Sequence, residues 1–361
     1  MDLTGRLHPS IMLSVTEAVP LTTNQSSALC ELPYEDGRLP LVLLYSLVLV
    51  VGLPANVLTV FLTWLQVRRR NVLAVYLWFL SLFDLGYLCT LPLWADYVVQ
   101  GHQWRWTSMA CKVTGYIFFT NMYVSIFLLC CISCDRYVAV VYSVETRGRR
   151  HRRHAVLITL AIVVVVAVGH VPVFTMKEGA AAEGQRRCFE PSQSGAMVTG
   201  FNYARFLVGF LAPLVLLVLT NRGVLANVQR STGLQQEHKR RVRRLAVAVV
   251  ALFLVCFAPY HLILLARAVN FHLPRPKGGS CLFESTMYTP YTVSLGLSTI
   301  NSAANPLLYV LSSENIRREL GRGLSHVFGP RSNNSQNQIH TLEMTSGFLQ
   351  GPTGPPETTD S

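Results

Sequence analysis

The stretch PLVLLYSLVLVVGLPANVLTVFLTWL, residues 40–65, holds no charged side chain. A bilayer's hydrocarbon core is crossed by roughly 20 apolar residues in a helix, so this segment is long enough to span. Six further stretches read the same way. Val72–Ala95 carries only Asp84, and Ala196–Thr220 only Arg205. Val113–Cys134, Ala155–Met176, Leu245–Ala266 and Thr286–Ser312 carry no charge. Prolines at 54, 92, 172, 213, 259 and 306 fall inside these stretches, which membrane helices tolerate when neighbours satisfy the freed backbone groups. Composition agrees: 51% of the 361 residues are hydrophobic and only 14% charged, too few charges to coat a soluble protein of this size.

The segments between the stretches alternate in charge. Arg68–Arg70, Arg147–Arg153, Arg222 to Arg244 and Arg317–Arg322 form one dense set, and the intervening segments are sparser. By the positive-inside rule the N-terminus lies outside and the C-terminus in the cytoplasm. The net charge of +12 is therefore membrane-flanking, which argues against nucleic acid as a partner and for lipid headgroups. Residues 1–39 are expected as an outside tail without a cleavable signal, glycosylated at Asn24. Residues 40–312 form the spanning domain. Residues 313–328 are expected as an amphipathic helix on the inner leaflet, and 329–361 as a disordered tail. The expected class is an all-α membrane protein, a seven-helix bundle with a short cytoplasmic surface helix. Four cysteines, Cys30, Cys111, Cys188 and Cys281, fall outside, and three pairings among them are open.

Ionisable groups within spans are expensive and mark function. Asp84 could gather Asn121, Ser125, Asn301 and Asn305, which lie at helical spacing on other spans. Such oxygen donors suit a sodium ion or a shared proton. Arg205, flanked by aromatic residues, could hold a carboxylate or phosphate, with Tyr116, Phe119, Tyr123 and Phe257 as pocket walls. His8, His102, His170, His261 and His272 are the histidines that outside protons could reach. Of these, His170 and His261 are expected to meet Glu190 or Glu284. Asp135-Arg136-Tyr137 closes the third span, where an ion pair could exchange partners between two states.

The ordered set Asn56, Asp84, Cys111, Asp135-Arg136-Tyr137, Pro213, Cys256-Phe257-Ala258-Pro259 and Asn305-Pro306-Leu307-Leu308-Tyr309 resembles the rhodopsin-like family of G-protein-coupled receptors, over about residues 40–328. The resemblance implies a Cys111–Cys188 disulfide, an Arg136 lock and an outward swing of the sixth span that admits a heterotrimeric G protein. Phe257, Pro259, Pro306 and Tyr309 are the implied switch positions. It further implies arrestin capture by a phosphorylated tail, for which Ser332, Ser335, Thr341, Thr345 and Ser346 are available. NVLAVYL (71–77), TLPLWADY (90–97), CCISCDRYVAVVY (130–142) and LVCFAPYH (254–261) are similar to the proton-sensing group and its oxidised-fatty-acid and lysolipid branch. That likeness implies a Cys30–Cys281 bridge and acidic sensing positions at Glu190 and Glu284. The chain departs at Asn305, where proton-sensing members usually carry an aspartate, and near Val165, where they carry a glutamate.

The expected function is a plasma-membrane receptor for an extracellular acidic lipid, protons or both, acting through G proteins. A receptor driven primarily by protons is the second reading. A polytopic transporter is the third, disfavoured by the lack of internal repeats and by only two deep charges. No enzyme motif accompanies the spans, and no cofactor is expected beyond possible sodium at Asp84.

Overall fold

The structure is a computed structural model that describes residues 32–69, 71–142, 151–175, 179–180, 186–188, 195–231, 235–274 and 279–312. Asn24, Cys30, Glu190, the surface helix at 313–328 and the tail lie outside the described residues. The elements in chain order are α1 (Arg38–Arg68), α2 (Val72–Leu88), α3 (Leu91–Val99), α4 (Ser108–Val141) and α5 (Arg152–His170). A 3-10 turn (Val171–Thr175) follows, then β1 (Gly179–Ala180) paired antiparallel with β2 (Arg186–Arg187). The chain continues through α6 (Ala196–Phe206), a π turn (Leu207–Leu211), α7 (Ala212–Arg230), α8 (Gln236–His272) and α9 (Gly279–Ser312).

These elements make seven spans. The second is α2 and α3 together, broken at Cys89–Thr90 just before Pro92. The fifth is α6 and α7 joined by the π turn, which ends where Pro213 enters the first turn of α7. A proline cannot donate to the residue four before it, and the wider π register absorbs that gap. Six spans are long and apolar enough to cross a bilayer on composition alone. The seventh, α9, falls short because Ser294, Ser298, Thr299, Asn301, Ser302 and Asn305 turn polar groups inward, where all are buried. It packs along α1 and α8. A sheet pair of two residues each was not expected from the sequence, and it lies beside the disulfide.

The third span, α4, is the axis: 78% of its most apolar window is buried, against 17% for the fourth span, so the first is core and the second faces lipid. Val124, Ile126, Leu128 and Leu129 of α4 pack with Leu80 of α2, Leu217 of α7 and Phe253 and Phe257 of α8. Leu43, Val50, Val165 and Leu219 are each more than half exposed, which suits hydrocarbon rather than water. Lipid gives no hydrophobic drive for one helix to meet another, so close packing and internal hydrogen bonds hold the bundle. Asn71 and Thr107 cap α2 and α4, accepting from the amides of Leu73 and Ala110. Cys111 and Cys188 are joined, which fixes the start of α4 to β2. Cys281 is also in a disulfide, whose partner lies outside the described residues.

Two glycines of the fifth span set its distance from α4. A Cβ on Gly209 would stand 2.3 Å from the Tyr123 ring, and one on Gly223 would stand 2.3 Å from the Tyr137 ring. The Tyr123 ring is buried and cannot yield cheaply, and the half-buried Tyr137 ring would have to turn aside. Gly223→Val should therefore lower the melting temperature of the purified receptor, at a cost of about 1–3 kcal/mol for overpacking. Adding Tyr137→Ala should recover most of that loss; a Gly223→Val protein as stable as the parent would refute the contact.

Candidate functional site

Three polar clusters lie along the bundle, each held by different spans. The first centres on Asp84, fully buried in α2. Its Oδ1 accepts from Ser302 Oγ at 2.8 Å, and its Oδ2 accepts from Asn305 Nδ2 at 2.8 Å. Asn121 Nδ2 of α4 donates to Ser302 Oγ at 3.1 Å, and Asn56 Nδ2 of α1 donates to the Ser302 carbonyl at 2.7 Å. Ser302, which the sequence did not single out, is the hub; it stands one residue after Asn301 and so faces Asp84 more directly. Buried oxygens of Asn121, Ser125, Asn301 and Asn305 have no hydrogen-bond partner here. These are hard oxygen donors around a carboxylate, a set that fits sodium or water better than a softer metal.

The second cluster centres on Arg205, which α6 carries into the bundle just before the π turn. Its guanidinium stands 4.6 Å from the Phe119 ring centre, and Nη1 donates to Tyr260 Oη at 3.4 Å. No carboxylate pairs with Arg205 among the described residues. His170 and His261 lie on either side of Tyr123. His261 Nδ1 is 2.7 Å from the Phe257 carbonyl, which can only accept, so Nδ1 carries the proton. Nε2 then accepts from Tyr123 Oη at 3.1 Å. His170 is likewise protonated on Nδ1, 2.8 Å from the Val166 carbonyl, and its ring stacks on Tyr123 at 5.0 Å. Both imidazoles are thus hydrogen-bonded to backbone through Nδ1.

Of the expected histidine–glutamate pairs, those with Glu190 lie outside the described residues, and Glu284 is engaged elsewhere. Glu284 of α9 is bound instead by Arg267 of α8, 2.7 Å away and nearly buried, and Arg267 in turn lies over Tyr291. A fixed guanidinium two turns beyond His261 on α8 claims the carboxylate first. Two of the expected pocket walls also point elsewhere. Tyr116 donates to the Ala167 carbonyl at 3.0 Å and ties the third span to the fourth. Phe257 packs edge-on against Phe253, a turn below the cluster. Phe119 does line a cavity, with Tyr45, Tyr87, Tyr97, Phe118, Tyr291 and neighbouring residues. That aromatic cavity lies among α1, α2, α3, α4 and α9; Arg205 is not among its lining residues and meets it through Phe119, over whose ring the guanidinium lies. Tyr260 and Tyr291, which connect it to the guanidinium, have no periodic signal in the sequence.

The third cluster caps the disulfide end. His102 is 3% exposed and follows Gly101 in the left-handed region, with φ of 58°. It packs against Tyr34, Tyr97 and Tyr288 and hydrogen-bonds the backbone of Tyr34. Burial, aided by Arg187 and Arg38 and opposed by the Tyr34 bond and Glu35, lowers its pKa to about 4. Arg187 lies over the Tyr34 ring, and Arg38 donates to the Val99 carbonyl. At the opposite end, Asp135, Arg136 and Tyr137 are half-buried on the last turns of α4. The Tyr309 side chain lies outside the described residues.

This arrangement, seven spans around buried polar clusters, is that of an integral-membrane protein. The family described as 7 transmembrane receptor (rhodopsin family) matches residues 55–309. The chain belongs to that family, and so is a receptor that works through G proteins. It is similar to "Probable G-protein coupled receptor 132" of Mus musculus, 47% identical over 86% of this chain and 80% of that protein. Its human counterpart is 46% identical over 84% of this chain and 81% of the human protein. "G-protein coupled receptor 68" of Mus musculus is 37% identical over 84% of this chain and 81% of that protein.

The depressed His102 pKa carries a pH dependence of definite sign. The unfolded chain binds this proton more readily, so stability is complete above about pH 6.5 and falls as pH approaches 4. From about pH 7.5 to about pH 5 the loss is about 2 kcal/mol. Melting curves of the purified receptor should show it, and His102→Phe should flatten that part of the slope. A slope that does not change would remove His102 from the cap's pH response.

Proposed function

We propose that this chain is a plasma-membrane receptor, N-terminus outside, for an extracellular acidic lipid of the oxidised fatty acid or lysolipid class. The observation that carries the reading is Arg205: a guanidinium inside the bundle, lying over Phe119 at the border of an aromatic cavity, with no carboxylate among the described residues to neutralise it. A cation in that setting calls for an anion with an apolar body. The carboxylate or phosphate would pair with Arg205, and the chain would lie along Phe119 and Tyr291. Arg205→Ala should weaken lipid potency by about 100-fold, the scale of a lost buried ion pair, at unchanged surface expression. Arg205→Lys should recover part of it, since lysine keeps the charge without the planar fork. An unaltered dose curve for Arg205→Ala sinks the headgroup role.

Protons enter this reading through the same site. His170 and His261 face Arg205, Tyr123, Tyr260 and Phe119, and none of these supplies negative charge. A second cation there is unfavourable until an anion arrives. Lipid and protons then favour each other, and by linkage acid strengthens lipid binding. Lipid affinity should rise between about pH 7.8 and about pH 6, where histidine titrates. Replacing both histidines with phenylalanine should abolish the rise. A strong acid response without lipid would favour the second reading, a receptor driven primarily by protons.

We further infer that Asp84, with Ser125, Asn121, Asn301 and Asn305, holds a sodium ion that biases the bundle between states. Lipid affinity should then differ between sodium and a large organic cation, and Asp84→Asn should erase the difference. Arg136 and the basic segments at 147–153 and 239–244 would face the G protein. Arrestin would be captured through phosphate on Ser332, Ser335, Thr341, Thr345 or Ser346.

A further inference from the structure

The aromatic cavity has a polar corner that a headgroup at Arg205 leaves unused. Tyr45 of α1 and Tyr87 of α2 both line it, and they are 8% and 2% exposed. Neither phenol hydroxyl has a hydrogen-bond partner among the described residues, and neither is walled off by packing. The two lie within electrostatic reach of each other and of Asp84, one turn deeper on α2. Thr292, which also lines the cavity, is already satisfied: its hydroxyl donates to the Thr289 carbonyl at 3.0 Å.

A buried phenol without a partner is unfavourable, so the corner asks for an oxygen that can meet it. No lysine, arginine, aspartate or glutamate lines the cavity, so a charged group is a poor occupant there and a neutral one fits. A phenol both donates and accepts, which suits a hydroxyl or a ketone. The corner also lies at the end of an aromatic path from the guanidinium. Arg205 stands 4.6 Å from the Phe119 ring centre, Phe119 lies 5.1 Å from Phe118, and Phe118 lies 5.6 Å from Tyr87. An extended long-chain fatty acid is longer than these three steps together.

With Arg205 as the headgroup site, on which this inference rests, we propose that Tyr45 and Tyr87 read an oxygen carried on the chain of the ligand. The site then selects an oxidised fatty acid, with a hydroxyl or keto group well away from its carboxylate. A lysolipid is the weaker fit, because its oxygens cluster at the head and its plain acyl chain leaves both phenols unmatched. A ligand oxygen reproduces the bonds of any water that meets the phenols, whereas a methylene displaces that water at a loss. A site built to bond an oxygen thus rejects the chain that lacks one.

The test is G-protein activation by the full-length receptor in cells, with octadecanoic acid and a series of hydroxyoctadecanoic acids that differ only in the position of the hydroxyl. Potency should peak at one position along the chain, about 3- to 10-fold above the unsubstituted acid, the scale of one hydrogen bond. Tyr45→Phe and Tyr87→Phe keep the rings. Each should lower the peak, and the double variant should bring the whole series level with octadecanoic acid. The potency of octadecanoic acid itself should not fall in these variants, which separates a lost oxygen contact from a damaged fold. Arg205→Ala should weaken every member of the series alike. A parent receptor that does not distinguish the hydroxy acids from octadecanoic acid overturns the proposal. So does a peak that survives the double variant, or an equal fall for every acid, which would make the phenols structural; if Arg205→Ala still weakens the whole series, the headgroup reading then stands alone. A series unmoved by Arg205→Ala overturns the headgroup reading, and the path drawn from it falls with it.

Discussion

Asp84 is a carboxylate held at the middle of a helical bundle, where water is not at hand to solvate it. It is tolerated because Ser302 and Asn305 donate to both of its oxygens, and Ser302 in turn takes a hydrogen bond from Asn121. Asn56 reaches the backbone of the same residue from α1. One buried charge thereby gathers the first, second, third and seventh spans around a single serine. Removing either donor to Asp84 would strand a carboxylate oxygen in low dielectric, while the surrounding oxygens of Asn121, Ser125, Asn301 and Asn305 stay open to an added partner. The polar inner face of α9 follows from this. It lowers the hydropathy of the seventh span and is the reason that span does not stand out by composition.

Towards the disulfide end the same economy of polar groups produces a different result. Arg205, Tyr123, Tyr260, His170 and His261 are mutually close, yet the described residues offer them donors and backbone carbonyls but no negative charge. Gly209 lets Tyr123 sit against the π turn, and this close approach aligns its hydroxyl with His261. His261 is bonded to the Phe257 carbonyl two residues before Pro259, the point where the α8 ladder is already interrupted. In the proposed reading, an anion drawn to Arg205 would act on Tyr260 of α8 through the hydrogen bond between them. Ligand chemistry and the weak point of the sixth span are thus neighbours.

What the sequence made legible depended on the kind of signal. Hydropathy located all seven spans, because bilayer thickness is a hard constraint on length, but the helices of the third, fifth, sixth and seventh run as much as seven to ten residues past the apolar stretch. Asp84 and Arg205 stood out because charge within an apolar run is rare. Their partners did not, since Ser302, Tyr260 and Tyr291 are ordinary residues made important by packing between distant helices. Glu284 was expected beside a histidine and is bound to Arg267, a pairing across α8 and α9 that no local pattern announces. His102 was one histidine among several until the left-handed turn at Gly101 buried it under Tyr34. The Cys111–Cys188 pairing needed the family resemblance, as spacing alone left three choices open.

The position of Asn305 bears on where protons can act. Two carboxylates in contact would share a proton, and that sharing is what makes a buried pair titrate near neutral pH. Here an amide nitrogen donates to Asp84 Oδ2, so the carboxylate is satisfied without a second acid. In the proposed reading the titrating groups lie nearer the disulfide end, where His170 and His261 border Arg205. Adding a proton there means adding positive charge to positive charge, which an acidic ligand can offset and the described residues cannot. In the proposed reading, sensitivity to acid belongs to the occupied site, and the lipid that fills it completes the sensor.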